Sequence, residues 1–209
     1  MLLSAGAVNS LSGVKEYYEA RAPEYDDWWL GAGLFEEQER PEWHEEVVQL
    51  LGTIASLPRM RTLDVACGTG FLTRHLHGEI VGLDQSPAML QIATARAPFA
   101  TFVEGDALDL PFDDNTFGRV FTSHFYGHLE RPERERFLRQ ARRIAPELVV
   151  VDAALREDVE PEQWQERILN DGSSWLVYKR YFTEDMLHDE LGAEILFHGR
   201  WLIVARAVT

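Results

Sequence analysis

The sequence predicts an α/β protein with a doubly wound, seven-stranded sheet, mostly parallel, with a C-terminal antiparallel hairpin and helices on both faces. Three observations support this fold class. Five short apolar runs alternate with helical patterns between residues 61 and 152. The first run ends in a glycine turn at residues 67–70. Two β-like runs at the end of the chain flank Gly199 and Arg200, which suits a hairpin.

The N-terminal part is expected to form a helical cap and one long helix. Residues 14–29 are rich in aromatic side chains, but Pro23 interrupts any long helix, so we expect a short helix and a loop. These side chains either pack on the domain or form a flap over a ligand. Residues 36–57 have apolar side chains at helical spacing, which predicts an amphipathic helix. Its acidic side chains are expected to face water: Glu37, Glu39, Glu42, Glu45 and Glu46.

The parallel strands are expected at residues 61–66, 79–83, 100–103, 119–123 and 148–152. The segment directly after the glycine turn can begin a helix, as in α/β proteins that bind nucleotides. Another helix is expected at residues 88–97, where Ser86 can cap free N–H groups and Pro87 suits the first turn. Residues 132–144 form the next helix, because their acidic start and basic end suit the helix dipole.

The tail predicts one more helix and the hairpin. Thr183 can cap a helix that runs to Leu191, and Gly192 can end it. The antiparallel strands follow at residues 194–198 and 201–207. We therefore expect a single domain over residues 1–209, divided into a cap and first helix (1–57), a ligand-binding core (58–154), an insert (155–182) and the last helix with the hairpin (183–209).

Composition and charge narrow the classes of function. A formal net charge of −15 argues against a nucleic-acid partner, because phosphate binding needs concentrated Lys and Arg. The one dense basic cluster alternates with glutamates and is expected to be a solvated helix face: Arg134, Arg136, Arg139, Arg142 and Arg143. Cys67 is the single cysteine, which fits a reducing compartment, so the protein is expected to be cytoplasmic. No apolar run approaches the roughly 20 residues that span a bilayer, so we expect no membrane insertion.

In a doubly wound sheet, ligands bind beyond the carboxyl ends of the strands. The five expected strands end at the glycine turn, Asp84, Asp106, Ser123 with His124, and Asp152. Glycines let a ligand approach the backbone closely, and a carboxylate after the second strand suits the hydroxyls of a ribose. The strand ends therefore indicate a site for a nucleoside-containing ligand.

A nicotinamide dinucleotide is the alternative ligand for such a turn. Its pyrophosphate requires Gly-x-Gly-x-x-Gly, and this chain has Thr73 in the last position. Asp64 lies just before the turn, where its charge would repel a pyrophosphate but could interact with the amine of an amino acid. These two residues make a nicotinamide dehydrogenase the weakest of our hypotheses.

Three ordered motifs resemble those of the class I S-adenosylmethionine-dependent methyltransferases, which have a Rossmann-like fold. Residues 63–70, LDVACGTG, look like the first motif of that family; residues 81–90, VGLDQSPAML, look like the second; residues 104–112 look like the third. Residues 18–26 resemble the Tyr-x-x-x-Ala-x-x-Tyr-Asp opening of its small-molecule branch, which includes enzymes of ubiquinone and menaquinone biosynthesis. The resemblance covers residues 15–207.

The resemblance implies S-adenosylmethionine as the cofactor. Gly68 and Gly70 would line its methionine part, and Asp64 would help to hold the amine. Asp84 would accept hydrogen bonds from both ribose hydroxyls, and Asp106 with the N–H of Ala107 would face the adenine. Ala66 stands where many members have glycine, so we expect a tighter loop there. The residues expected to bind the cofactor are Tyr17, Arg21, Tyr25, Asp64, Ala66, Gly68, Gly70, Asp84, Gln85, Met89, Asp106, Ala107 and Ser123.

His124 and His128 follow the fourth strand, where the resemblance places the reactive methyl group. Either could be a general base, because histidine titrates near neutral pH, or a structural hydrogen-bonding residue. Their i, i+4 spacing also suits metal ligands, but no third ligand is apparent in the sequence, so we expect no metal.

The main hypothesis is methyl transfer from S-adenosylmethionine to an O, N or C nucleophile of a small molecule. Residues 155–182 would then form an insert on the side of the methyl acceptor. The alternative is a non-catalytic, methyltransferase-like protein that binds the cofactor or regulates another protein.

Overall fold

The computed structural model describes residues 6–7 and 11–208, so residues 1–5 and 8–10 of the expected cap lie outside it. The elements, in chain order, are β1 (Gly6–Ala7), α1 (Leu11–Arg21), α2 (Asp27–Leu30), α3 (Trp43–Ala55), β2 (Thr62–Val65), β3 (Ile80–Asp84), α4 (Pro87–Arg96), β4 (Thr101–Glu104), β5 (Arg119–Ser123), α5 (Arg131–Ile144), β6 (Glu147–Ala153), β7 (Glu162–Ile168), β8 (Ser174–Arg180), α6 (Glu184–Leu191), β9 (Glu194–His198) and β10 (Leu202–Val208).

The main sheet has seven strands in the order β4-β3-β2-β5-β6-β10-β9. The first five are parallel, and β10 pairs antiparallel with both β6 and β9. The order reverses direction between β2 and β5, and a sheet of this kind binds its ligand at such a switch point. The predicted fold class, a mostly parallel sheet with a C-terminal antiparallel hairpin, is confirmed.

Residues of β6 alternate between two apolar clusters, one on each face of the main sheet. Leu148 and Val150 pack with α5 and α6, whereas Val149 and Val151 pack with α3. Successive side chains of a strand point to opposite faces, so a run of apolar residues is what a strand covered on both sides requires. Helices therefore cover both faces, as predicted.

The predicted helix caps are present. Ser86 Oγ accepts a hydrogen bond from Met89 N at 3.1 Å, and Thr183 Oγ1 accepts one from Met186 N at 3.2 Å. Gly192 ends α6 in a left-handed conformation, with φ of 68°. Each capping hydroxyl satisfies an N–H group that the first turn of a helix leaves without a backbone partner.

The expected helix after the glycine turn is wrong. The chain forms only a short 3-10 helix, Thr73–His75, before β3 begins at Ile80. Few residues separate the turn from β3, and three of them, Phe71, Leu72 and Thr73, are buried in the turn itself. The segment is therefore too short and too tightly packed for a helix that spans the face of the sheet.

The expected long helix at residues 36–57 begins later, at Trp43, and one of its acids does not face water. Glu46 is only 5% exposed and accepts hydrogen bonds from the backbone N–H groups of Arg200, Trp201 and Leu202, at 2.6 to 2.9 Å. The carboxylate thus fixes the start of β10 to α3. Glu45, its neighbour, is exposed as expected.

Residues 155–182 contain a hairpin that the sequence analysis did not predict. Strands β7 and β8 pair antiparallel, and β1 adds a parallel strand at the edge of β8. The basic cluster also needs correction, because Arg134 is only 5% exposed and donates to the carbonyl of Leu129 at 2.7 Å. Arg136, Arg139 and Arg142 are exposed, as expected.

Candidate active site

The glycine turn between β2 and β3 needs left-handed backbone at several positions. Ala66, Gly68 and Gly70 have φ of 55°, 54° and 71°. A left-handed conformation is unfavourable for alanine, which explains why glycine is common at the equivalent of Ala66. A Cβ on Gly70 would lie 3.2 Å from atoms of Ala93, so this glycine lets the turn pack against α4.

Asp84, the last residue of β3, holds the turn in place. Its Oδ2 accepts from Gly68 N at 2.9 Å, and its Oδ1 accepts from Ser86 N at 2.9 Å. The carboxyl group is only 7% exposed, and burial raises its pKa above the ordinary value for aspartate. The backbone N–H of Gln85 also acts on this carboxylate, and its two oxygens together keep lone-pair capacity for a further donor.

These residues border a cavity at the carboxyl ends of the strands, which we call the strand-end cleft. Its volume is about 110 Å³. Nine of the thirteen residues expected to bind the cofactor line it, together with both histidines: Tyr25, Ala66, Gly68, Asp84, Gln85, Met89, Asp106, Ala107, Ser123, His124 and His128. The other four, Tyr17, Arg21, Asp64 and Gly70, do not reach it.

Asp64 lies behind the turn, only 2% exposed, and accepts a hydrogen bond from Thr73 Oγ1 at 2.6 Å. Burial raises its pKa to about 7, and the hydrogen bond from Thr73 opposes this rise. Asp64 borders a separate cavity of about 20 Å³, which shares Tyr25, Ala66 and Ser123 with the strand-end cleft. The Thr73 hydroxyl is therefore the partner of this buried acid.

The segment from α1 to α2 covers the glycine turn. The ring of Tyr25 lies 3.5 Å from the position that a Cβ on Gly68 would occupy. Asp26 Oδ1 accepts from Thr69 Oγ1 at 2.6 Å, and its Oδ2 accepts from the guanidinium of Arg96. Trp29 of this segment packs in an apolar cluster of the domain, and Tyr18 and Tyr25 line the strand-end cleft.

Tyr17 and Arg21 lie beside the cleft rather than in it. Tyr17 is only 2% exposed and belongs to a small apolar cluster with Leu169 and Val177 of the β7–β8 hairpin. Arg21 Nη1 donates to the hydroxyl of Tyr17, and its guanidinium lies 5.1 Å from the centre of the Tyr25 ring.

His124 lies at the end of β5 and its left-handed backbone, with φ of 50°, turns the chain there. Its ring makes edge contacts with Trp28 and Trp29, with ring centres 4.6 and 5.1 Å away. Its pKa is lowered to about 3, first by burial and then by the charges of Lys179, Arg21 and Arg167, while the charge of Asp152 opposes the shift. His124 is therefore neutral at pH 7.

His128 is also neutral, and its side chain is partly buried. Its Nδ1 lies 2.7 Å from the carbonyl oxygen of Tyr178, to which it donates. Burial and the charge of Lys179 lower its pKa well below the ordinary value. A general base is most effective with a pKa near the working pH, so neither histidine has the basicity expected of one.

Two charged residues near the histidines were not among the site residues predicted from the sequence, although Lys179 lies in the insert expected on the acceptor side. Asp152, fully buried at the end of β6, accepts from Lys179 Nζ at 2.6 Å and from Gly127 N at 2.7 Å. His124 Nδ1 lies 3.9 Å from Asp152 Oδ1. The position of Asp152 at a strand end was the available signal, but Lys179 comes from the unpredicted hairpin.

A second, larger cavity adjoins the strand-end cleft, and we call it the cationic cavity. Its volume is about 520 Å³. Its basic side chains are Arg21, Arg40, Arg156, Arg167 and Lys179, and its acidic ones are Glu39 and Asp158. Tyr18, Tyr25, His124 and His128 line both cavities, so the two meet at the histidines.

Within residues 6–7 and 11–208, no three His, Cys, Asp or Glu side chains are grouped so as to hold a metal ion. In the same part of the chain, no helix is long and apolar enough to cross a membrane.

This strand order, with the glycine turn and the acidic strand ends around one cleft, defines a class I methyltransferase fold. Residues 62–146 match the family described as "Methyltransferase domain". These residues are therefore similar to a methyltransferase domain of the S-adenosylmethionine-dependent class, and the resemblance drawn from the three motifs is confirmed.

The match to each named relative covers only part of that relative's length. Demethylmenaquinone methyltransferase of Thermotoga maritima is 38% identical over 108 residues, 49% of this chain and 45% of that protein. A probable phthiotriol/phenolphthiotriol dimycocerosates methyltransferase 2 of Mycobacterium ulcerans is 30% identical over 164 residues, 73% of this chain and 58% of that protein. The chain spans about half the length of the curated relatives that it matches.

A solved structure covers nearly the whole chain. The protein described as the DhpI-SAM-HEP complex is 25% identical, with a TM-score of 0.71 over 98% of this chain and 99% of that one. The similarity therefore extends beyond the matched domain to the N-terminal segment and the β7–β8 hairpin.

Proposed function

We propose that this protein transfers the methyl group of S-adenosylmethionine to an O, N or C nucleophile of a small molecule. One observation carries the proposal: the strand-end cleft is lined by residues of all three motifs, Gly68, Asp84 and Asp106, at the switch point of the sheet. The named relatives, which are methyltransferases, support it.

The residues that line the cleft fit the cofactor by their chemistry. We propose that the buried carboxylate of Asp84 accepts from the ribose hydroxyls and that Asp106 with Ala107, which also line the cleft, faces the adenine. Gly68 lets the methionine part approach the backbone. We propose that the charge of Asp64, which lies behind the turn, attracts the amine of the cofactor. Ala66 and Ser123 border both the cavity of Asp64 and the strand-end cleft, so they lie between the acid and the amine.

The strand-end cleft, at about 110 Å³, is smaller than the roughly 300 Å³ of a typical small-molecule pocket, and we propose that it widens to admit the cofactor. The segment from α1 to α2 carries Tyr18 and Tyr25, which line the cleft, and Asp26 of this segment accepts a hydrogen bond from Thr69 Oγ1 at 2.6 Å. We propose that this segment opens for entry and then closes, excluding water from the site.

The cofactor supplies an activated methyl group on a sulfonium ion, so the chain contributes mainly alignment. The two cavities meet at Tyr18, Tyr25, His124 and His128, where an acceptor atom can lie within roughly 3 to 3.5 Å of the methyl carbon. We propose that the histidines shape this junction rather than remove the acceptor proton, because both pKa values are low. The β7–β8 hairpin supplies Arg167 and Lys179 to the acceptor side.

Isothermal titration calorimetry with S-adenosylmethionine and S-adenosylhomocysteine tests the cofactor. Folded protein should bind both; binding of neither would exclude the proposal. A screen of small acceptors with methyl-labelled cofactor then separates an enzyme from a non-catalytic binding protein. We favour the enzyme, because an acceptor-sized cavity adjoins the cleft. The acidic net charge further supports a small-molecule acceptor and no nucleic-acid partner. The single cysteine supports a cytoplasmic location.

A further inference from the structure

The charge of the cationic cavity is opposite to that of the protein. The whole chain has a formal net charge of −15, whereas five basic and two acidic side chains line this cavity. Cations gathered in a concave site raise the local concentration of anions there. Because acidic side chains outnumber basic ones by 35 to 20 in the chain, such a site is unexpected from composition.

Three of its arginines have no carboxylate partner. Arg156 pairs with Asp158 at 3.0 Å, and Lys179 pairs with Asp152, which lies behind it. Across residues 11–208, by contrast, no ion pair involves Arg21, Arg40 or Arg167. Their positive charges are therefore free to act on a ligand.

Aromatic rings and neutral oxygens hold these guanidinium groups instead. Arg40 donates to the carbonyl of Trp28 at 2.8 Å and lies 4.2 Å from the centre of the Trp43 ring. Arg21 is held in the same way by Tyr17 and Tyr25. Such contacts orient an arginine without neutralising it, and leave other N–H groups for a planar, two-pronged contact with an oxyanion.

Two polar atoms without a hydrogen-bond partner belong to residues that line the end of the cavity around His124. Arg167 Nε and His124 Nε2 are buried and find no hydrogen-bond partner among the residues described. Arg21, Arg167 and Lys179 all act on His124, whose pKa they lower, so their fields converge there. Buried donors without acceptors are costly, and a ligand oxygen removes that cost. This end adjoins the strand-end cleft.

We propose that the cationic cavity binds an oxyanion, of the carboxylate or phosphate type, carried by the small-molecule methyl acceptor, with Arg167 and Arg21 as its main partners. This inference rests on the proposed function only for the identification of the ligand as the acceptor. The oxyanion site itself depends on the charges and unsatisfied donors of the cavity. Its position next to the histidines fixes the anionic group close to the reacting end of the acceptor.

The test is calorimetry on the full chain with S-adenosylhomocysteine present, in Tris chloride free of phosphate and sulfate. Phenyl phosphate and benzoate are the two anionic probes, and benzamide is the uncharged match for benzoate. The variant is Arg167→Gln. Its control is Arg136→Gln, which removes the same charge from the exposed surface of α5. Thermal unfolding checks that both variants fold.

We expect at least one anion to bind with a dissociation constant below about 10 mM, and benzamide not to bind in that range. Arg167→Gln should weaken anion binding about tenfold or more, and Arg136→Gln by less than about twofold. Added sodium chloride should also weaken it. Binding of phenyl phosphate alone identifies the phosphate type, and of benzoate alone the carboxylate type.

Three results would overturn the inference: no binding of either anion, equal binding of benzamide and benzoate, or equal losses in the two variants. The comparison of benzoate with benzamide uses the unaltered protein, so it holds even where Arg167→Gln fails to fold. If the anion binds through Arg167 but S-adenosylhomocysteine does not bind, the proposed function fails and the oxyanion site stands. If only S-adenosylhomocysteine binds, the oxyanion site fails alone.

Discussion

Lys179 Nζ donates a hydrogen bond of 2.6 Å to Asp152 Oδ1, with the two side chains 5% and 0% exposed. The pair joins β8 of the small sheet to β6 of the main sheet. Asp152 Oδ2 also accepts from Gly127 N, which fixes the chain between β5 and α5. One buried carboxylate therefore connects the hairpin of the cationic cavity to the strand ends of the cleft.

Lys179→Met should lower the free energy of unfolding by about 3 to 5 kcal/mol, because it leaves the Asp152 carboxylate buried without its counter-charge. Urea denaturation followed by circular dichroism measures the change. Lys15→Met is the matched control: Lys15 donates to Glu104 at 2.7 Å, but these side chains are 42% and 54% exposed. An exposed pair contributes little, so this variant should be nearly as stable as the wild type. Equal effects of the two substitutions would contradict the role of the buried pair.

The parts of the fold that the sequence predicted depend on local pattern. The five parallel strands are short apolar runs, and the motif residues follow those strands directly, so Gly68, Asp84 and Asp106 could be located without coordinates. The β7–β8 hairpin could not. Burial along β7 alternates only between exposed and partly buried, and its residues are mostly polar, so it lacks the apolar alternation that marks a strand.

Long-range contacts account for the other differences. Glu46 lies among exposed glutamates, and nothing near it in the sequence indicates that its oxygens meet N–H groups more than 150 residues away. In the same way, Arg167 and Arg21 line one cavity only because the β7–β8 hairpin packs on α1. Helical spacing describes one element at a time, whereas these sites are formed by contacts between elements.

Glu46→Ala should destabilise the protein by about 3 kcal/mol, because three backbone N–H groups at the start of β10 lose their acceptor. Glu45→Ala removes the same group from the adjacent, exposed position and should change stability by less than about 0.5 kcal/mol. Chemical denaturation of both variants gives the comparison. Equal stability of the Glu46→Ala and Glu45→Ala variants would mean that the Glu46 carboxylate does not hold the β9–β10 hairpin to α3.

Asp84→Ala should weaken the binding of S-adenosylhomocysteine about tenfold to a hundredfold, because the ribose hydroxyls lose their acceptor. Titration calorimetry measures the affinity, and thermal unfolding shows whether the variant is folded. Asp189→Ala, at an exposed position of α6, is the control and should bind as tightly as the wild type. Unchanged affinity in folded Asp84→Ala would place the ribose elsewhere.

The low pKa of His124 makes stability depend on pH. Below its ordinary value of 6.5 the unfolded chain takes up a proton at His124, whereas the folded protein, with a pKa of about 3, does not. The stability that His124 contributes is therefore complete above pH 6.5 and is lost progressively as the pH falls toward 3. The wild type should lose about 2 kcal/mol more than His124→Gln between roughly pH 8 and pH 5.

Urea denaturation at several pH values measures this difference. Trp28→Phe is the control, because its ring packs against His124 with centres 4.6 Å apart, yet it carries no titrating group. Its destabilisation should be the same at every pH, whereas that of His124→Gln should shrink as the pH falls. Parallel pH profiles for the wild type and His124→Gln would show that His124 is protonated equally in the folded and unfolded chain.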